Sequence, residues 1–304
     1  MHEVSYFSSM WQTLLPLIRK NDFKAIARSI SLVENEVEGY TELMESLGHT
    51  MVPVIGITGP PGAGKSTLTD GLISAIIKEN KKVAVLCVDP SSPFNLGALL
   101  GDRIRMNQWY DHPDVFIRSL ATRGSLGGLN PKIIEITSLL QEADFDYIIV
   151  ETVGVGQSEI EIAGLADITI VTIVPEAGDE IQTMKAGLME IADIFVVNKS
   201  DRPGADIFVK NLKQMLAPAF SNHEEEIPVI KTIASQNEGL SELKTAIDKL
   251  SGKTKKERKA WLLAEKAWQL IQKHKMAGLN KETIQKEIQN TDNINLHRFI
   301  RKYL

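Results

Sequence analysis

The stretch Val54–Thr67 constrains this chain more than any other, because an apolar run, VIGIT, passes directly into GPPGAGKST. Residues 59–66 fit the pattern G-x-x-x-x-G-K-[ST], in which a strand hands over to a helix through a loop that cradles phosphates. Gly59, Gly62 and Gly64 let successive backbone N–H groups turn inward where a Cβ would clash. Pro60, Pro61 and Ala63 complete the loop between them. Lys65 brings a point charge to the β- and γ-phosphates, and the Ser66 hydroxyl, with Thr67 beside it, can ligate Mg²⁺. The helix starting near Gly64 adds its positive N-terminal dipole. A structural glycine-rich turn is the poorer reading between a strand and a helix. The stretch predicts a nucleotide-binding site, with Lys65 in a catalytic role.

The flanking sequence predicts an α/β fold of the P-loop NTPase type, a mostly parallel sheet with helices on both faces. From Val52 to about Leu250, apolar runs alternate with amphipathic stretches. The expected strands are Val52–Thr58, Lys82–Val88, Val115–Ser119, Tyr147–Glu151, Ile168–Val174, Ile194–Asn198 and Pro228–Thr232. Their β-branched runs suit strands buried on both faces. Helices are expected to begin near Lys65, Pro131, Asp179, Asp206 and Ser241. Ahead of this domain, residues 1–50 read as an N-terminal helical lobe packed on it, with Ile26, Ile30, Val33 and Val37 at helical spacing. The nucleotide domain is expected over residues 51–252 and a C-terminal helical arm over residues 253–304. In that arm Trp261, Ala264, Ala267, Trp268 and Ile271 share a helical face. Such a stripe is expected to pack on the main domain or on another subunit.

Composition narrows the function classes. A net charge of −5 argues against a nucleic-acid binder held by bulk electrostatics. The single cysteine, Cys87, rules out an intrachain disulfide, and no CxxC or Cys/His cluster suggests zinc. With no long uncharged apolar span and no signal-peptide pattern, no membrane association is expected. The expected location is the cytoplasm, or an organelle matrix if a transit segment was removed.

Since ligands sit beyond the carboxyl ends of parallel strands, the residues just after each strand carry the rest of the site. After Asp89 comes PSSPFNLGALLGDRIRM, which reads as a switch loop with Asp89 and Asp102 near Mg²⁺ or a water, and Arg103 or Arg105 near the γ-phosphate. Solvated loop charges and an ordinary salt bridge are the alternative. The glycine-rich run Arg118–Gly128 is either a third phosphate-proximal loop or a simple connection. In YIIVETVG, Glu151 stands where P-loop NTPases usually carry Asp on the magnesium strand, and the longer side chain is expected to reach the ion through a water. Gly154 lets a backbone N–H meet the γ-phosphate. Val155 follows it, so the water-positioning glutamine of Ras-like proteins is missing; Gln157 is the candidate substitute, and slow intrinsic hydrolysis raised by a partner is the consequence. Asn198-Lys199-Ser200-Asp201 is the N-K-x-D pattern that selects guanine, because the Asp201 carboxylate can accept from the ring N1–H and the exocyclic amine together. The loop holding Ala234, Ser235 and Gln236 is expected to offer a backbone N–H, from Ala234 and its neighbours, to the guanine oxygen.

With those motifs in place, the chain resembles the methylmalonyl-CoA mutase-associated GTPases, the MeaB/ArgK family of the SIMIBI class. The matching strings are ARSISLVE (Ala27–Glu34), GITGPPGAGKSTL (Gly56–Leu68), VDPSSPFNLGALLGDRIRM (Val88–Met106), FIRSLATRGSLGGL (Phe116–Leu129), VETVGVGQSE (Val150–Glu159) and AGDEIQTMKAGLMEIADIFVVNKSDRPGA (Ala177–Ala205). The resemblance implies a GTP/GDP- and Mg²⁺-dependent GTPase that dimerises through its C-terminal helices. It further implies association with an adenosylcobalamin-dependent acyl-CoA mutase, gating cofactor loading and protecting that enzyme. Ser66 with Asp89, Asp102 and Glu151 would then surround the magnesium, and Gly178–Gly187 would couple nucleotide state to the mutase. Glu176 departs from the family's usual glycine. The family also carries an older label as a transport-linked kinase, and a nickel-type metallochaperone GTPase of the same fold is a further alternative. The absence of CxxC and His-rich tracts speaks against the metallochaperone, and nothing here resembles a protein-kinase signature.

Overall fold

The structure, a computed structural model, describes residues 10–48, 52–89, 106–123, 128–154, 158–176, 191–216, 226–251, 256–291 and 294–303. It divides into two compact units, Met1–Leu262 and Leu263–Leu304.

In the first unit the described residues form a seven-stranded sheet: β1 (Val54–Thr58), β2 (Val83–Asp89), β3 (Val115–Ala121), β4 (Tyr147–Glu151), β5 (Ile168–Ile173), β6 (Ile194–Val197) and β7 (Val229–Lys231). Every ladder is parallel, in the order β3-β2-β4-β1-β5-β6-β7. β1 lies between β4 and β5, where the direction of winding reverses. That switch point opens a crevice beyond its carboxyl end. The phosphate-loop sequence begins there.

Alternate residues explain why the strand sequences are almost wholly apolar. Val83, Val85 and Cys87 of β2 face one core with Ile55 and Ile57 of β1. This core is closed by α4 (Lys65–Ile77) and α8 (Leu240–Ser251) through Leu68, Leu72, Ile76, Leu243 and Ile247. Ala84, Leu86 and Val88 face the opposite core, with Val54, Ile148 and Val150. That second face is covered by α1 (Met10–Ile18), α2 (Phe23–Glu34), α3 (Tyr40–Glu45), α5 (Ile133–Glu142) and α6 (Ser158–Leu165). Under α7 (Ala205–Leu216), Phe195, Val197, Phe208 and Leu212 form a smaller cluster.

The N-terminal helices share a core with the sheet, since Ile26, Ile30 and Val33 pack in one cluster with Leu86 and Ile148. Asp22 caps α2 by accepting from the Ala25 N–H at 2.8 Å. The helix stops at Glu34, with Asn35 as its cap and Glu36 in the left-handed region at φ 48°, so Val37 lies beyond the helix it was expected to extend. Helix α6 is absent from the sequence expectations, because its eight residues, SEIEIAGL, show no clean apolar stripe.

Helix α9 (Lys256–Met276) supplies the start of the second unit, followed by α10 (Lys281–Gln289) and α11 (Leu296–Phe299). The side chains of Asn280 and Asn295 cap α10 and α11 by accepting from Glu282 and Arg298 backbone N–H groups. Trp261, Trp268 and Ile271 are 54%, 58% and 53% exposed. Among the described residues, no helix is long and apolar enough to cross a membrane.

Candidate nucleotide-binding site

The phosphate loop joins β1 to α4, with Gly64 as the helix cap at φ 89°. A Cβ at Gly64 would lie 2.4 Å from Asn198 Nδ2, so this position needs glycine for both its dihedral and its space. Lys65 is buried, and its Nζ donates to the Gly59 carbonyl at 2.8 Å and the Pro60 carbonyl at 3.2 Å. Gly154, at φ 80°, lies directly against that lysine. A Cβ there would come within 2.3 Å of both Gly59 O and Lys65 Nζ. The loop after β4 therefore rests on the phosphate loop, and only an unsubstituted backbone fits the contact.

Glu151 ends β4 almost completely buried. Its Oε1 accepts from the Ser66 hydroxyl at 2.6 Å, and its Oε2 accepts from the Thr69 hydroxyl at 2.8 Å. Asp89, also buried, ends β2. Cys87 pairs in register with Glu151, so Asp89, two residues further on, lies on the same sheet face as Glu151 and α4. Two buried carboxylates and a hydroxyl on one face form a hard oxygen donor set. That set suits Mg²⁺, which binds through one or two carboxylates with phosphate and water completing its shell. The residues present therefore fit the ion that the sequence implies. Asp102, Gln157, the arginines 103 and 105, and the segment 178–187 lie outside the described residues.

The far side of the crevice is tied to the phosphate loop by the N-K-x-D residues. Asn198 Nδ2 donates to Ala63 O at 2.9 Å, while Asn198 Oδ1 accepts from the Thr232 hydroxyl and the Ala234 N–H, both at 3.1 Å. Lys199, in the left-handed region at φ 56°, donates from Nζ to Gly62 O at 2.7 Å. Asp201 follows, exposed. The Ala234–Gln236 segment is a 3-10 turn whose Ser235 and Gln236 are exposed. The Ala234 N–H donates to Asn198 and the Gln236 N–H to Ile233 O. Glu176 pairs with Arg202, whose guanidinium holds that carboxyl below the usual carboxylate range.

Two features escaped the sequence reading. Thr69 carries no motif signal, since it follows the fingerprint by three residues, and only the fold reveals its hydroxyl at Glu151. Arg118, at the end of an expected strand, and Arg123, in the glycine-rich run that follows, both reach α2. Arg118 donates to Ser31 and Glu34, and Arg123 to the Glu34 carbonyl and Asn35. Their partners lie more than 80 residues away in sequence. Nothing local announces them.

Residues 26–291 match the family model described as methylmalonyl-CoA mutase-associated GTPase MeaB. This chain belongs to the MeaB family. It is 48% identical over 241 residues to a protein of Pyrococcus abyssi with a provisional GTPase name, covering 77% of this chain and 74% of that one. It is 38% identical over 237 residues to a fused isobutyryl-CoA mutase of Geobacillus kaustophilus, covering 73% of this chain and 22% of the fused protein. Among solved structures, a LAO/AO transport system kinase superposes with a TM-score of 0.67 at 25% identity, covering 97% of this MeaB-family chain and 96% of that one. The family assignment carries GTP and GDP binding with it, and the N-K-x-D turn and the phosphate loop are the parts of this chain suited to guanine and phosphate.

Proposed function

We propose that this MeaB-family protein hydrolyses GTP to GDP and phosphate, slowly by itself, while associated with an adenosylcobalamin-dependent acyl-CoA mutase whose cofactor loading it gates and which it protects. The observation that carries the hydrolytic reading is the convergence of Lys65, Ser66, Glu151 and Gly154 at the carboxyl end of β1 and β4. Phosphoryl transfer to water asks the protein for positioning and charge stabilisation rather than covalent chemistry. Lys65 stabilises charge on the β- and γ-phosphates, and the backbone N–H groups of residues 62–67 hold the phosphate oxygens. Ser66, Asp89, Asp102 and Glu151 would hold Mg²⁺, which when bound neutralises charge developing on the phosphates. The Gly154 N–H faces the γ-phosphate, and Gln157 orients the attacking water where Ras-like chains use the residue after that glycine. Asp201 reads the guanine N1–H and amine. The Ala234 and Gln236 N–H groups donate within the protein, so of this turn Ser235 serves the guanine oxygen.

The mutase partner rests on the family's description and on the relative in which a similar segment is part of a fused isobutyryl-CoA mutase. Gly178–Gly187 couples nucleotide state to that partner. The arm of residues 253–304 dimerises the chain, and the exposed Trp261, Trp268 and Ile271 are among the apolar side chains available for it. GTP hydrolysis is measured with the purified protein, alone and with a B12-dependent acyl-CoA mutase, with Lys65→Ala as the blank. Slow turnover that rises on adding the mutase is expected. Fast basal turnover removes the argument from the missing glutamine. No response to any such mutase removes the partner and returns weight to a transport-linked role.

A further inference from the structure

Glu151 is one methylene longer than the aspartate usual on this strand, and a longer carboxylate has more rotamers to choose among. What selects one here is a second hydroxyl. Ser66 and Thr69 are three residues apart on α4 and so share a helix face. Each takes one oxygen of the Glu151 carboxylate, at 2.6 and 2.8 Å. Thr69 is fully buried, and beyond the phosphate end of the helix, where Lys65 and Ser66 lie, its large inward neighbours Leu68, Leu72, Ile73 and Ile76 are apolar. Packing alone would be served by valine, which has the same shape. The Thr69 hydroxyl has one proton and two acceptors, Glu151 Oε2 at 2.8 Å and Lys65 O at 3.0 Å. The charged oxygen is the stronger acceptor.

We propose that Thr69 is the positioning residue for Glu151. By holding Oε2 it turns Oε1 toward the Ser66 hydroxyl at the phosphate end of the helix, and so sets how tightly the site takes a divalent cation together with nucleotide. This rests on the nucleotide-binding reading above. Losing a hydrogen-bond partner of a metal-site carboxylate typically costs 10–100-fold in metal affinity.

The test follows release of a fluorescent GDP analogue from the full-length protein across a Mg²⁺ titration, with EDTA as the zero point. Thr69→Val is expected to raise the Mg²⁺ concentration that half-maximally slows release by about tenfold or more. Release in EDTA should stay within about twofold of the parent, and Thr69→Ser should restore the parent's Mg²⁺ dependence. Thr69→Ala serves if the valine variant does not fold, because alanine removes the same hydroxyl. A parental Mg²⁺ midpoint in a folded Val or Ala variant overturns the proposal, as does a Ser variant no better than Ala. Failure of the parent protein to bind the GDP analogue overturns the nucleotide reading itself. Binding with a Mg²⁺ response that ignores Thr69 overturns only the positioning role.

Discussion

The two edges of the sheet use the same residue types for different ends. At the amino-terminal edge, the aspartate just before a strand caps the start of its neighbour. Asp146 before β4 accepts from the Lys82 N–H, Asp167 before β5 from the Val54 N–H, and Asp193 before β6 from the Thr169 N–H, each at 2.8 Å. In each case the aspartate's own N–H returns a bond to the same residue's carbonyl. Close by, buried Lys244 pairs with Glu79 and Asp248, and the Tyr147 hydroxyl donates to Asp248. At the carboxyl-terminal edge, Lys65, Lys199, Asn198 and Glu151 bond across β1, β4, β6 and the β7 loop, between glycines with positive φ. One edge closes pairs of neighbouring strands. The other gathers charges and glycines from several elements into one crevice, as binding requires.

Substitutions at the two edges should therefore separate function from stability. Lys65→Ala is expected to lower GTP turnover by about a hundredfold or more, with the thermal midpoint little changed. A large loss of stability instead would mean that this lysine chiefly holds the loop together. Asp201→Asn should weaken GTP by about a hundredfold, as one hydrogen bond is lost and the other loses its charged acceptor, and favour xanthosine nucleotides. Competition binding reads this directly, and unchanged GTP affinity removes guanine selection by this residue.

At the opposite edge, Lys244→Met should cost about 2 kcal/mol in denaturant unfolding, less than a wholly buried pair because Glu79 and Asp248 are about half exposed. Nucleotide affinity should be unaffected. Burial pulls the Lys244 ammonium down, but hydrogen bonds to Asp248 and Glu79 outweigh it and leave the group above the ordinary lysine value of 10.5. A raised folded value means the stabilisation is fully present below the unfolded value and fades only as pH climbs through the folded one. The cost of Lys244→Met should thus be the same at pH 6 and pH 9; a cost that shrinks between them contradicts the pairing. Asp193→Ala, which removes one capping bond at Thr169, should cost about 1 kcal/mol and leave GTP turnover per folded molecule unchanged.

Much of this was legible in the chain because the signals are local. A strand, a glycine loop and a helix in succession admit few alternatives, and the strand runs fall where the ladders do to within two residues. The N-K-x-D tetrapeptide is equally local. The capping aspartates had a local signature too, Asp followed by Tyr147, Ile168 or Ile194, but its meaning depends on which strand lies alongside. Val37 shows the opposite limit, where spacing extended a helix that the left-handed Glu36 had already ended.

The sequence by itself determined the class of fold and marked the residues proposed to meet phosphate and guanine, since those depend on residue type and short spacing. Tertiary structure alone decided that Asn198 binds Ala63 and Ala234 together, that Gly154 lies on Lys65, and that Thr69 and Ser66 divide one carboxylate. Those contacts join positions 36 to 135 residues apart or, for Thr69, depend on which face of α4 meets β4. No periodicity encodes such distances; strand order and register bring the groups within hydrogen-bond reach.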